Sequence, residues 1–356
     1  MQLENSFTAA DQRRRLLLSA SAISLIGASR AWAQASPPRP ERSEVTLAVG
    51  GRTAIYYLPL TIADQLGYFK DEGLQVELQD HTAGSLALQS MLRGTANVTG
   101  GSYEHVIDLR GRGFNCLAFV FTGRAPQLVF GVSTRTLAQF KEPAQLKGRR
   151  VGITATDSAT HWFAKFLLGR AGLQPGDVEY VNVGNSTSAA MAIREGRIDA
   201  IANIDPVISL LESRGEIRVL WDTRSMRGTH DLYGGPMGAG CLYTSQDFLV
   251  RYPNTVQALT NAVVRALKWL QTAGPSDIVR AVPEAFMYGD RALYLAALGK
   301  AREAMSPDGL VSEDCVETTH RVVAKYGITA SAVRPPSPAA TFTNDFARRA
   351  KRRFQA

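Results

Sequence analysis

Residues 45–51 read Val-Thr-Leu-Ala-Val-Gly-Gly. This stretch decides the fold class, because a short β-favouring apolar run that stops at two glycines is a strand closed by a turn. A helix is expected next: Leu60, Ala63, Leu66 and Tyr68 fall on one side at 3.6-residue spacing, Pro59 sits in the first turn and Gly67 marks the end. The same grammar then repeats. A strand is expected at Leu74 to Leu78, a helix at Ser85 to Arg93, a strand at Ala96 to Thr99, then a Gly-Gly-Ser turn and a further helix. Strands alternating with helices argue for an α/β architecture with a mostly parallel sheet flanked by helices.

Working outward, Gln127 to Ser133 reads as an extended crossing strand, and a second set of βα units restarts at Val151-Gly152-Ile153. That set is expected to continue through a helix at Ser158 to Leu168, a strand at Glu179 to Val183, a helix at Ser188 to Arg194, and strands at Ile198 to Ala202 and Ile217 to Trp221. Gly234 to Gly240, rich in glycine, leads into Cys241-Leu242-Tyr243-Thr244, a strand expected to return to the first lobe. Roughly 320 residues also exceed one comfortable hydrophobic core. The expected division is residues 45–132 plus 236–356 for lobe 1 and 133–235 for lobe 2. Val256, Leu259, Val263, Leu267 and Leu270 form a helical stripe expected to be core.

The N-terminus reads as an export signal over residues 1–33, with a linker over 34–44. Arg13, Arg14 and Arg15 precede an apolar run from Leu16 to about Ala28, shorter than a membrane span, and Ala31-Trp32-Ala33 offers a cleavage site. The arginines resemble a twin-arginine signal, with Gln12 where that pattern prefers Ser or Thr. The expected location is the periplasm, soluble after cleavage. Removing this segment lowers the formal net charge from +8 to about +6. The charges are dispersed except at Arg348, Arg349, Lys351, Arg352 and Arg353, expected to be a solvated helix face, so nucleic acid is not an expected partner. Cys116, Cys241 and Cys315 are too few and too scattered for a disulfide framework or a metal cluster.

Several short strings carry a family resemblance: Pro59-Leu60-Thr61-Ile62-Ala63, Leu66-Gly67-Tyr68-Phe69, Glu72-Gly73-Leu74, Gly100-Gly101-Ser102, Leu146-Lys147-Gly148, Val151-Gly152-Ile153, Ser158-Ala159-Thr160-His161, Gly196-Arg197-Ile198-Asp199-Ala200 and Asp205-Pro206. In this order and spacing they resemble the periplasmic binding proteins of the sulfonate, taurine, nitrate and thiamine-pyrimidine-precursor group. The resemblance implies a two-lobed type II fold that holds a small, anionic organic solute in its cleft. It further implies a monomer that delivers the solute to an ABC permease with its ATPase, needs no cofactor or metal, and catalyses nothing. An exported sensor and an enzyme like the fungal pyrimidine-precursor synthase are the alternatives. The cysteine-rich iron motif expected of that enzyme is missing here, as is a Gly-x-Ser-x-Gly elbow, and the five histidines lack the i, i+4 spacing of zinc hydrolases.

Ligands of open α/β sheets bind at the carboxyl ends of the strands. Four groups of loops are therefore expected to line the site. The first offers Gly51, Tyr56 and Tyr57, and the second Gly84 and Ser85, with Ser85 expected to cap a helix. The third offers Gly101, Ser102 and Tyr103 in a turn that opens a helix. The second lobe supplies Ser158, Thr160 and His161 at another helix start, with Asn185, Ser186, Asn203 and Asp205 completing its rim. Helix N–H groups and hydroxyls would attract an anionic group, while Tyr56, Tyr57 and Tyr103 would cover its body. On this reading Ser158 and Thr160 could be removed together with little effect on the ligand-free protein.

Overall fold

The computed structural model describes residues 38–326 and 336–356; the expected export segment lies outside them. The chain runs through β1 (Glu44–Val49), α1 (Leu58–Gln65), β2 (Gln75–Asp80), α2 (Gly84–Leu92), β3 (Val98–Ser102), α3 (Tyr103–Gly111) and β4 (Cys116–Phe121). There follow β5 (Val129–Ser133), β6 (Arg150–Ile153), α4 (Ala159–Arg170), β7 (Glu179–Asn182), α5 (Thr187–Arg194), β8 (Ala200–Asn203), α6 (Val207–Ser213) and β9 (Ile217–Asp222). The last stretch holds β10 (Gly240–Ser245), α7 (Pro253–Thr272), α8 (Arg291–Ala301), α9 (Glu313–Tyr326) and α10 (Asp345–Phe354).

These strands form two five-stranded sheets, ordered β2-β1-β3-β10-β4 and β7-β6-β8-β5-β9. In each sheet four strands run the same way and one, β10 or β5, runs antiparallel to both neighbours. The odd strand is in each case the one that arrives from the other sheet. This is the architecture of the two-lobed periplasmic binding proteins.

Two boundaries differ from the sequence reading. The lobe boundary expected between residues 132 and 133 falls within β5, whose residues Val129 to Ser133 pair with β9 throughout; the chain changes sheets upstream, between Phe121 and Val129. Gly100, Gly101 and Ser102, expected as a turn, are the end of β3 and pair with Leu242, Cys241 and Gly240. Their glycines answer to packing: a Cβ on Gly100 would lie 2.9 Å from Leu60 Cδ1, and one on Gly101 would lie 3.1 Å from the Tyr243 hydroxyl.

Val256, Leu259, Val263, Leu267 and Leu270 on α7 are all buried. At roughly 1.5–3 kcal/mol for each fully buried aliphatic side chain, that one face is a principal anchor of the first lobe. Against it lies α10, whose basic cluster keeps the solvated face expected of it: Arg348, Arg349, Arg352 and Arg353 are exposed and Lys351 is half-buried. Phe346, Ala347 and Ala350 are buried, Lys351 and Arg353 pair with Asp308 (2.7 Å) and Glu72 (2.8 Å), and Arg349 donates to Gln257 Oε1 (2.5 Å). Cys116, Cys241 and Cys315 are all buried and free. Among the described residues no helix is long and apolar enough to cross a membrane.

Candidate functional site

The carboxyl ends of β1, β3, β6, β7 and β8 converge on one cavity between the sheets. It is lined by Gly50, Tyr56 and Tyr57 after β1, Gly84 at the start of α2, and Ser102 and His105 around the start of α3. The other wall has Thr154, Ser158, Ala159 and Thr160 between β6 and α4, then Asn185, Ile204 and Leu128. None of these side chains carries a formal charge. The cavity measures about 40 Å³, room for a few waters. Larger hollows exist, such as a groove of about 460 Å³ beside Arg170, Trp221 and Asp231, but its lining, from Pro143 to Leu232, comes from the second lobe alone.

The cavity is small because the lobes are bonded to each other around it. Asn185 Nδ2 donates to the Gly50 carbonyl (2.5 Å), Ser85 Oγ to the Thr156 carbonyl (2.9 Å), and Ile55 N–H to the Asp205 carbonyl (3.0 Å). Tyr288, from the segment before α8, adds a brace: its hydroxyl lies 3.1 Å from Thr53 Oγ1 and donates to the Asn185 carbonyl at 3.4 Å. Glycines allow the close approach. A Cβ on Gly51, which sits at φ +117°, would lie 2.2 Å from Asn185 Nδ2. A Cβ on Gly84 would lie 3.5 Å from the Tyr57 hydroxyl and 3.6 Å from His105 Cε1, so its missing side chain is part of the cavity.

Tyr56 and Tyr57 meet edge to face with ring centroids 5.0 Å apart, and burial pushes both phenols well above their ordinary pKa. They remain protonated and keep a proton to donate. Across the cleft, Thr154, Ser158 and Thr160 form a buried hydroxyl triangle with sides of 2.9, 2.8 and 2.7 Å, and Thr160 Oγ1 also accepts from Thr154 N–H (2.9 Å). Ser158 caps α4 through His161 N–H. The expectation that Ser158 and Thr160 are dispensable to the ligand-free protein is therefore corrected. Thr160→Ala strands a buried N–H and is expected to cost about 1–3 kcal/mol in urea unfolding; unchanged stability would show the triangle to be slack.

Of the residues expected at the site, Tyr56, Tyr57, Gly84, Ser102, Ser158, Thr160 and Asn185 line the cavity. Gly51 and Ser85 sit in the seam between the lobes, and Ser85 lies within the first turn of α2 without capping it. The others turn elsewhere. Gly101 packs on Tyr243, and Tyr103 is buried against Phe121 with its hydroxyl 2.5 Å from Thr341 Oγ1. His161 Nδ1 accepts from Asp157 N–H (3.0 Å), Ser186 is exposed beside Ser188, and Asn203 donates to the Gly184 carbonyl (2.9 Å). Asp205 bonds Ser209 N–H (2.9 Å) and pairs with Arg224 (3.3 Å), so its carboxylate is spent within the second lobe.

The sequence reading omits His105, and the helix explains why. Two residues on from Tyr103 is about 200° around an α-helix, so the residue chosen at the start of α3 faces the core while His105 faces the cleft. The sequence signals that a helix opens at the strand end; it does not signal which face of that helix meets the cleft.

Residues 54–275 match the NMT1/THI5-like family. A solved protein of Bordetella bronchiseptica RB50 is 45% identical with a TM-score of 0.86, over 90% of this chain and 100% of that one. The alkanesulfonate-binding protein SsuA of Xanthomonas axonopodis pv. citri, solved with MOPS, is 17% identical with a TM-score of 0.67, over 85% and 99%. YtlA of Bacillus subtilis (strain 168), which carries the name of a binding protein, is 21% identical over 286 residues, 77% of this chain and 81% of its own length. With more than half of its length matched, the chain belongs to the NMT1/THI5-like family.

Proposed function

We propose that this protein captures a small organic or inorganic anion in the periplasm and presents it to an ABC importer. The observation that carries the reading is an uncharged, buried cavity at which three helices begin. The first turns of α2, α3 and α4 open at Gly84, at Ser102 to His105 and at Ser158 to Thr160. N–H groups of a first helical turn have no carbonyl one turn upstream, and the helix dipole makes that end positive. Three such ends favour an anion without a cationic side chain. Tyr56, Tyr57, Leu128 and Ile204 supply the apolar wall.

The alkanesulfonate-binding relative supports a sulfonate or similar oxyanion as the ligand class. Two or three charge-assisted hydrogen bonds of about 1.5–3 kcal/mol each, less the cost of association, fit micromolar affinity. Binding, not turnover, is the reading because the cavity offers no nucleophile paired with a base: His105 is its one titratable group near neutrality, and burial holds it neutral. The test is a thermal-shift panel of nitrate, ethanesulfonate, taurine, benzoate and a pyrimidine, followed by mass analysis of the recovered solute. A bound anion at a hundred times its Kd stabilises by about 2.7 kcal/mol and is recovered intact. Stabilisation by cations alone, or a chemically altered solute, would sink the proposal.

A further inference from the structure

We infer that His105 is the specificity-determining residue of the first lobe, donating a hydrogen bond from Nε2 to an oxygen of the bound ligand. This rests on the cavity being the ligand site. His105 is buried and lines the cavity, and its Nε2 makes no hydrogen bond of normal geometry among the described residues; the Asp157 backbone, which also acts on the imidazole, is the competing acceptor within the chain. An unpartnered buried polar atom is destabilising, so a native protein retains one where something absent from the folded chain satisfies it. The rest of the ring is held in place. Nδ1 lies 3.4 Å from the Tyr243 hydroxyl, and the ring meets Trp162 edge to face with centroids 5.7 Å apart.

On this inference Tyr243 is the donor to Nδ1. Tyr243 is fully buried, and burial keeps its phenol protonated. A phenol that donates to Nδ1 leaves the single proton of a neutral imidazole on Nε2, facing the cavity. Burial pushes the imidazole pKa down to about 4, against an opposing pull from the Asp157 carbonyl and carboxylate. His105 is thus a neutral donor throughout the physiological range. It suits an anionic oxygen, and it suits that oxygen without adding a charge that would bind any anion indiscriminately.

The facing wall completes the logic. Ala159 and Thr160, whose N–H groups open α4 with no helical carbonyl one turn upstream, belong to the second lobe, whereas His105 belongs to α3. An oxygen bonded by both is held by both lobes. A ligand engaging one lobe alone has no differential affinity for the closed form, and one bridging the two does. His105 therefore supplies the first lobe's share of the contact that makes closure depend on the ligand.

Two measurements test this. In ligand-free protein with ¹⁵N-labelled histidine, long-range ¹H–¹⁵N spectra from pH 6 to 8 should show His105, assigned with the help of the His105→Gln variant, as neutral and protonated on Nε2. A proton on Nδ1, or an imidazolium, overturns the inference. In calorimetry with sodium ethanesulfonate, His105→Phe should bind at least tenfold more weakly while its ligand-free melting temperature is equal to or above that of the native protein. His105→Gln, which keeps a donor, should stay within about threefold. Because His105→Phe also strips Tyr243 of its contact, His105→Phe/Tyr243→Phe is the control for folding and should bind as weakly. Native affinity in the Phe variants, or loss of affinity and melting temperature together in all of them, shows His105 to be structural. If ethanesulfonate fails to bind the native protein, the oxyanion reading of the cavity fails, and His105 is judged by its tautomer alone.

Discussion

Arg224→Met is expected to destabilise the protein by about 3–5 kcal/mol, because it leaves one buried carboxylate, Asp205, without its counter-ion. Arg224 is buried and meets three acids: Asp205 at 3.3 Å, Glu212 at 2.8 Å and Asp222 at 2.5 Å. Lys300 on α8 reaches the same Glu212 at 3.0 Å. Asp205 is the acid that depends most on the arginine. Its side chain is 2% accessible, and burial already raises its pKa in spite of Arg224. Glu212, less deeply buried, is instead held below its ordinary range by Arg224. Without the arginine, Asp205 either stays charged at high cost or takes up a proton, so the penalty is largest at neutral pH and shrinks as the pH falls. Urea unfolding at pH 7.5 should show the loss, and adding Asp205→Asn should recover part of it. A loss below about 1 kcal/mol would mean that water enters the network freely. Since the Asp205 carbonyl accepts from Ile55 N–H across the cleft, the variant should also close less tightly.

Glu104→Gln should remove a pH dependence of stability worth up to about 3 kcal/mol between pH 4.5 and 8. Glu104 on α3 is buried, its Oε2 has no hydrogen-bond partner among the described residues, and burial raises its pKa from 4.5 to about 7. Its surroundings are Trp162, Phe163, Phe166, Tyr233, Met237, Val322 and Val323. Its charge is felt by Tyr56, Tyr233 and Cys241, and burial keeps all three neutral in this range. The sign follows from which form is buried. Below pH 4.5 the acid is protonated folded and unfolded, and its contribution is fully present; as the pH rises through 7 the folded state must either bury a charge or hold a proton the unfolded chain has released. Glutamine is neutral throughout. The variant should therefore gain on the native protein from pH 5 to pH 8, measured as the difference between their urea unfolding free energies. Parallel curves would show that Glu104 reaches solvent in the folded state.

Much of the fold is legible in the amino-acid sequence, and the reason is local. The run at 45–49 with its two glycines, the 3.6-residue stripe on α7 and the restart at Val151 are each written within a few residues, and hydrophobic periodicity reports them directly. Gly-rich segments mark the ends of strands, and strand ends mark the loops where a ligand should lie. That is enough to name Tyr56, Tyr57, Gly84, Ser102, Ser158, Thr160 and Asn185, all of which line the cavity.

Tertiary structure decided the rest, in each case through a partner far away in sequence. Only pairing with β8 and β9 places Val129 to Ser133 in the second sheet, because a short apolar strand carries no mark of which sheet will accept it. Only the packing of α3 against α9 and β4 turns Tyr103 inward and His105 toward the cleft. Asp205 reads as available to a ligand in the sequence, whereas in the fold Arg224, nineteen residues on, claims it. The basic run on α10 is the exposed face that the sequence suggests, but only the fold supplies Asp308 and Glu72 as partners for Lys351 and Arg353. A side chain's residue type is set by sequence, but whether its hydrogen bonds and charge are spent or free depends on what the folded chain brings within about 3 Å.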